Sequence, residues 1–141
     1  KYTPLPSWAV FKADQVVNVK VGTNHNMPNA LIHHRPTNEL QAKFSIQYSV
    51  ARALADGIVR IKDFEEPAVQ DEHVRRLLPL ITTGPHPDMP EDSPKQFGSE
   101  VIVTMARTKA MSAPASTTPA TAPVMVIRVN GRRIAPWRSA T

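Results

Sequence analysis

A histidine–histidine–arginine–proline run at residues 33–36 is the densest polar cluster in this chain of 141 residues. Arg35 can hold a carboxylate, because its planar guanidinium offers two parallel N–H donors to the two carboxylate oxygens. An ordinary solvent-exposed loop arginine has the same sequence context. The residues alone therefore leave both interpretations of Arg35 open.

Metal and nucleophile chemistry have little support in the sequence. The chain has no cysteine, which excludes a thiolate metal site, a cysteine nucleophile and a disulfide. His33 and His34 are adjacent, so their side chains point in divergent directions and are poor co-ligands of one metal ion. Ser45 has no histidine and aspartate arranged to activate it. Lys43 lies near the start of a predicted helix, where it is either partly buried or solvated. We expect no metal site.

The net charge of +5 belongs to the C-terminal part of the chain. All 12 acidic residues lie within residues 1–105, whereas residues 106–141 contain six basic residues and no acidic one. A nucleic-acid surface needs cations on a folded face with interleaved aromatic side chains. The tail offers only Trp137, so we do not expect nucleic acid as a partner. Its composition is also what a shifted reading frame in GC-rich DNA tends to give, which we state as a hypothesis.

The predicted cellular location depends on two sequence features, membrane spans and a signal peptide. No apolar run approaches the roughly 18 residues that a membrane span needs. The first residues have no apolar core of a signal peptide. We therefore expect a cytoplasmic protein without membrane contact.

Hydrophobic periodicity predicts an α+β fold. Alternating valines indicate a strand at 16–21 with Val17, Val19 and Val21 on its buried face, and another strand is predicted at 100–105. Between them, a helix that begins after an Asn38 cap is predicted over about Glu39–Ala55, with Leu40 and Phe44 on its apolar face. Short helices are predicted to begin near Asp63 and Asp71, the second with Ile81 in its buried stripe, and residues 84–98 are predicted to be a loop. The expected architecture is a small antiparallel sheet covered by two or three helices, in the order β-α-α-β.

The tail contains one further structural signal. Asn130-Gly131 between two apolar runs predicts a C-terminal β-hairpin, because both turn residues tolerate positive φ. An isolated hairpin is marginal in water, so this one must dock on the body. The predicted organisation is listed by segment: an extended N-terminal segment at 1–14, a folded domain at 15–105, a Pro/Ala/Thr-rich linker at 106–123, and a basic tail at 124–141.

Several motifs occur in a fixed order between residues 28 and 81. Pro28–Thr37 contains the Arg-Pro loop, Leu40–Ala51 contains an Ala-Lys-Phe-Ser helix start, and Ala53–Gly57 ends the helix with Asp-Gly. Together with the later Glu100–Thr104 strand, this order resembles the C-terminal small lid domain of the MmgE/PrpD family. That family includes 2-methylcitrate dehydratase, cis-aconitate decarboxylase and iminodisuccinate epimerase. The resemblance covers roughly residues 15–105.

The resemblance implies lyase or isomerase chemistry on small polycarboxylates, without an organic cofactor. Family members place the site between this lid and a large helical domain, which precedes the lid and supplies most acid and base groups. The resemblance therefore implies catalytic roles for His34 and Lys43 and substrate binding by Arg35 and Lys43. His34 would act as a donor or proton carrier. Leu31–His33 stand where some decarboxylase-type members have a tyrosine, which argues against cis-aconitate decarboxylation.

Two functions follow from these observations. The first is a separated or truncated lid domain that is inactive alone and needs a helical domain to act on a polycarboxylate. The alternative is a non-catalytic assembly module that pairs with a separate helical domain, with a second copy of itself, or with an acidic polymer through the basic tail.

Overall fold

The computed structural model describes residues 12–89 and 98–106, and the backbone of 124–130. These residues form two compact units. The helical unit consists of residues 12–15 and 31–79, and the sheet unit consists of the remaining described residues. Within these described ranges, no helix has the length and apolar character needed to cross a membrane.

Four strands in the order β2-β1-β3-β4 form the sheet unit. The strands are β1 (Val16–Thr23), β2 (Ile81–Pro85), β3 (Gly98–Met105) and β4 (Val124–Asn130), and a short helix α1 (Met27–Ala30) follows β1. β3 is antiparallel to both β1 and β4, whereas β1 is parallel to β2. The predicted α+β class is confirmed, but the small sheet, predicted to be antiparallel, is mixed. Parallel strands need a crossover of a dozen or more residues, and the long segment between β1 and β2 supplies it.

The strand β2 was missing from the sequence prediction. The sequence pattern predicts Ile81 in the buried stripe of a helix and residues 84–98 as a loop. Ile81 is indeed buried, but it begins an edge strand. Three consecutive β-branched residues, Ile81 to Thr83, are the signal that favours a strand here, and Pro85 at its end is tolerated at a sheet edge.

The first strand contains an irregularity that changes which valines are buried. Val16 pairs with Met105 and Asn18 pairs with Thr104, so Val17 is skipped in the ladder. Val17 was predicted to share the buried face of Val19, but it is 52% exposed. An extra residue in one strand reverses the inside–outside alternation on one side of the bulge.

The helical unit contains short helices separated by turns. They are α2 (Glu39–Lys43), α3 (Ile46–Asp56), α4 (Glu66–Val69) and α5 (Glu72–Arg75), with a 3-10 turn at Ile61–Phe64 between α3 and α4. Asn38 caps α2 by accepting from the Gln41 N–H at 3.0 Å, and Gly57 ends α3 with φ of 72°. Both predicted helix boundaries are therefore confirmed.

The single helix predicted over Glu39–Ala55 is divided in two. The Ser45 hydroxyl accepts from the Tyr48 N–H at 3.1 Å, so Ser45 is the N-cap of a new helix. A capping serine competes with helix continuation because its side chain bonds to the local backbone. The break changes the helical phase, and Leu40 and Phe44, predicted as buried, are 66% and 47% exposed.

The tail contributes one strand to the described structure. β4 runs antiparallel to β3 along the edge of the sheet, from Gly98 opposite Asn130 to Thr104 opposite Val124. β4 coincides with the first arm of the predicted hairpin. The second arm and the predicted linker at 107–123 lie outside the described residues.

Gly22 provides a test of the packing within the sheet unit. A Cβ there would lie 2.8 Å from Cδ2 and 3.1 Å from Cβ of His86. The imidazole cannot readily move away. The backbone N–H of His86 donates to the Thr23 carbonyl at 2.8 Å, and the ring Nε2 lies 3.2 Å from Oε1 of Glu100. We expect Gly22→Ala to destabilise the protein by about 1–3 kcal/mol in urea unfolding.

Gly84→Ala is the matched control. A Cβ at Gly84 has no atom within 4 Å among the described residues. This substitution should leave the urea midpoint nearly unchanged or raise it slightly. Equal destabilisation by the two substitutions would contradict the packing of His86 on Gly22.

Candidate functional site

One buried arginine connects three parts of the helical unit. The Arg52 side chain is 10% exposed. It lies 3.0 Å from Asp56 on its own helix, 2.9 Å from Asp71 at the start of α5, and 3.5 Å from Asp63 in the 3-10 turn. The Nε–Asp56 contact is an ion pair that is not aligned as a hydrogen bond. Through these ion pairs Arg52 links α3, the 3-10 turn and α5.

The carboxylates of this network also satisfy backbone donors. Asp63 accepts from the Arg60 N–H at 2.7 Å, and Asp71 accepts from the His73 N–H at 3.0 Å. The Asp71 N-cap was predicted from the sequence. Each of these two carboxylates accepts from a backbone N–H of its own turn or helix start and also pairs with the Arg52 guanidinium. Each one therefore stabilises both the local backbone and the tertiary contact.

Tyr48 extends the network into the core of the helical unit. The side chain is fully buried, its hydroxyl donates to the Asp63 carbonyl, and its ring lies 5.6 Å from that of Phe64. Burial raises the pKa of Tyr48 above its usual value; Asp63 and the other carboxylates raise it further, against the opposing effect of Arg52. Burial lowers the pKa of Arg52, but the hydrogen bond to Asp71 and the charges of the other carboxylates outweigh this and raise it overall.

The loop that contains Arg35, residues 31–38, is held by bonds on both sides of that residue. We call it the Arg35 loop. Its partners come from α2, α3, the α2–α3 junction and the region of α4 and α5. The bonds are His33 N–H to the Phe44 carbonyl (3.2 Å), Gln47 Nε2 to His34 Nδ1 (2.5 Å), Arg75 to the Pro36 carbonyl (3.3 Å), Gln70 to the Thr37 carbonyl (2.9 Å) and Thr37 N–H to Gln41 Oε1 (2.9 Å).

Arg35 itself is exposed. Among the residues that the structure describes, neither the Arg35 guanidinium nor the Lys43 ammonium forms a hydrogen bond or ion pair. This differs from Arg52, which faces three carboxylates, and from Arg75, which donates to the Pro36 carbonyl. Within the described ranges, these two cations therefore have no protein partner.

The predicted site residues are brought to one region of the helical unit. The His33–Phe44 backbone bond joins the Arg35 loop to the residue after Lys43, and the Gln47–His34 bond joins the loop to the first turn of α3. We call the set of His34, Arg35 and Lys43 the cationic surface, and all three of its side chains are exposed. The exposed apolar side chains of its neighbours are Ile32, Leu40 and Phe44.

The cationic surface can bind and position an anion. The nearby acidic residue in α2, Glu39, is bonded elsewhere, because its carboxylate accepts from the backbone N–H of Glu66 at 3.2 Å. Fixed cations orient a carboxylate and stabilise negative charge that develops on it. Of the three side chains, only the His34 imidazole offers both a hydrogen-bond donor and an acceptor in its neutral form. In the described part of the chain, no three His, Asp or Glu side chains group as a metal site requires.

Two polar residues were missed by the sequence analysis. Arg52 occupies the middle of a 48, 52, 56 series at helical spacing, which places it on one face with Tyr48 and Asp56. That spacing could have indicated the network. Gln47, which is 3% exposed, carried no comparable signal, because its partner His34 lies in a loop.

Removing the arginine of the network should be severely destabilising. Arg52→Met leaves Asp63, which is 2% exposed, buried without its cation. We expect a loss on the order of 3 kcal/mol in the free energy of unfolding, measured by urea denaturation. Arg76→Met removes an exposed arginine of the same unit and should change stability by about 0.5 kcal/mol or less. Similar losses in both variants would contradict the structural role of Arg52.

Tyr48 should make stability depend on alkaline pH. Because the pKa of Tyr48 is raised in the folded state, the folded protein holds the phenol proton more tightly than the unfolded chain. This stabilisation is present below pH 10.0 and is lost as pH rises through the folded pKa. Tyr48→Phe should cost about 1 kcal/mol at neutral pH through the lost hydrogen bond. The difference from wild type should narrow at strongly alkaline pH; a constant difference in urea unfolding would argue against the buried phenol.

Comparison with known proteins identifies the family. No curated protein sequence matches the chain. The family model of the MmgE/PrpD C-terminal domain matches residues 7–120. The match includes the whole cationic surface and extends past residue 105, where the motif-based resemblance ends, into the acid-free tail. Since it spans well over half of the sequence, the chain belongs to the MmgE/PrpD family and represents its C-terminal domain.

Proposed function

We propose that the chain supplies the carboxylate-binding wall of a lyase or isomerase that acts on small polycarboxylates. The observation that carries this proposal is the contrast at residue 35. The backbone on both sides of Arg35 is tied down, while its guanidinium is exposed and has no partner in the described structure. A cation that stands on a held backbone, with no protein partner among the described residues, is partly organised for a ligand before the ligand arrives.

The roles of the three residues follow from their chemistry. Arg35 binds a substrate carboxylate through its two parallel N–H donors. Lys43 acts as a point charge for a second carboxylate or for negative charge that develops next to it. His34 supplies a hydrogen bond or carries a proton. Dehydration, decarboxylation and epimerisation next to a carboxylate all pass through such negative charge, so this wall serves any of them.

The cationic surface needs a second wall. Exposed ion pairs in water are worth little, because solvent screens them. Closure against another domain expels water and strengthens these interactions. We propose that the helical domain typical of the family forms this wall and brings the main acid and base groups. The chain without such a domain is then inactive. The exposed Ile32, Leu40 and Phe44 support contact with a protein surface at this place.

The same apolar side chains support a second candidate function. A non-catalytic assembly module would use Leu40 and Phe44, one helical turn apart, to pair with a helical domain or with a second copy of the chain. This function requires the apolar residues but not Arg35. Substitution of Arg35 therefore distinguishes the two candidates.

Binding of a tricarboxylate should depend on Arg35. Titration of the full chain with cis-aconitate, followed by ¹H–¹⁵N NMR, should shift the amide signals of residues 33–44 with weak affinity. Arg35→Gln should reduce the affinity by about two- to fivefold, as expected for an exposed charge pair.

Arg76→Gln is the matched control for this titration. Arg76 is an exposed arginine of the same unit, and its loss changes the net charge equally. Its affinity for cis-aconitate should equal that of the wild type. If both variants weaken binding equally, the effect is general electrostatics, and the proposed site at Arg35 is wrong.

A further inference from the structure

Gln47 holds the ring of His34 from one side. The Gln47 side chain is almost entirely buried in the first turn of α3, at 3% exposure, and its Nε2 lies 2.5 Å from Nδ1 of His34. His34 is exposed on its other side. The contact therefore joins a buried, fixed group to an exposed residue of the cationic surface.

The two backbone segments that carry Gln47 and His34 are held by hydrogen bonds of their own. Gln47 follows Ser45, whose hydroxyl caps α3, by two residues. His34 follows His33, whose N–H donates to the Phe44 carbonyl at 3.2 Å. The side-chain contact bridges two segments that are already tied together. A buried amide in this position loses little further freedom when it bonds to the ring.

The chemistry of the contact defines where the proton of the imidazole lies. An amide nitrogen has only protons to offer, so Nδ1 must present its lone pair. A neutral imidazole with a lone pair on Nδ1 carries its proton on Nε2. The second ring nitrogen has no partner among the described residues, so its N–H is available to a ligand.

We propose that Gln47 is a positioning residue that fixes His34 as the neutral Nε2–H tautomer. In that state the exposed nitrogen donates a hydrogen bond to an anion and cannot accept a proton. This assigns His34 the donor role among the two roles proposed above, and its meaning for catalysis rests on the proposed function. The general base must then come from elsewhere in the complete site.

A carboxylate in place of the amide reverses the chemistry. The side chain introduced by Gln47→Glu has only acceptor oxygens at neutral pH, so it would require a proton on Nδ1 of His34. The neutral ring would then expose a lone pair on Nε2 and lose its donor. The side chain introduced by Gln47→Met has a similar length but no polar hydrogen, and it would leave the ring free to sample both tautomers.

The ¹⁵N chemical shifts of the imidazole nitrogens test this proposal directly. They are measured in the full chain without ligand, at a pH where the ring is neutral. We expect wild-type His34 to be the Nε2–H tautomer, Gln47→Glu to convert it to Nδ1–H, and Gln47→Met to produce a mixture. The rings of His25 and His73 serve as internal controls and should keep the same shifts in all three proteins.

The outcomes separate this proposal from the proposed function. An Nδ1–H tautomer in the wild type would overturn it, as would a tautomer that is the same in the wild type and Gln47→Met. If Gln47→Glu fails to fold, the Gln47→Met comparison still decides. Expected tautomers without cis-aconitate binding would reject the polycarboxylate site but retain the role of Gln47.

Discussion

The arrangement of the helical unit depends on one buried guanidinium. Arg52 takes three carboxylates from three separate elements, and two of these carboxylates also satisfy backbone donors. The short helices of this unit cannot be stable by themselves, because a single turn fixes many dihedral angles for few hydrogen bonds. Ion pairs and side-chain caps stabilise these short helices instead. Removal of the cation would leave the buried Asp63 carboxylate without its counter-charge, which costs more than the net value of the ion pair.

The network has a consequence for the Arg35 loop. Two of the loop's anchors, Gln70 and Arg75, lie in or next to α4 and α5, the region whose position Asp71 and Arg52 determine. The conformation of the loop therefore depends on elements whose own positions depend on the ion pairs of Arg52. Arg35 does not take part in that pairing. Within one unit, Arg52 holds the fold, while Arg35 has no partner among the described residues. This contrast supports the proposal that Arg35 binds a ligand.

The sequence predicted the parts of this structure that depend on local chemistry. The Asn38 and Asp71 caps and the Gly57 end of α3 follow from residue types at fixed positions, and the structure confirms them. The division of the helix at Ser45 was missed because the same serine fits a helix interior in a pattern based on apolar spacing alone. Non-local pairing explains the other differences. The parallel placement of β2 and the bulge at Val17 are set by the partner strand, which periodicity does not report. For the site, residue types and the family resemblance select His34, Arg35 and Lys43, and their role in a site stays a prediction. The roles of Gln47 and Arg52 depend on contacts 13 and 19 residues away in sequence, which no motif encodes.

The central claim is that this domain supplies a carboxylate-binding wall to a site completed by a helical domain. The most direct measurement is turnover of 2-methylcitrate, cis-aconitate and iminodisuccinate by the chain alone, and by the chain mixed with an MmgE/PrpD helical domain. The account predicts no turnover by the chain alone, and turnover of one substrate by the mixture that falls when Arg35 is replaced by Gln. Turnover by the chain alone, or turnover by the mixture that is independent of Arg35, would contradict it.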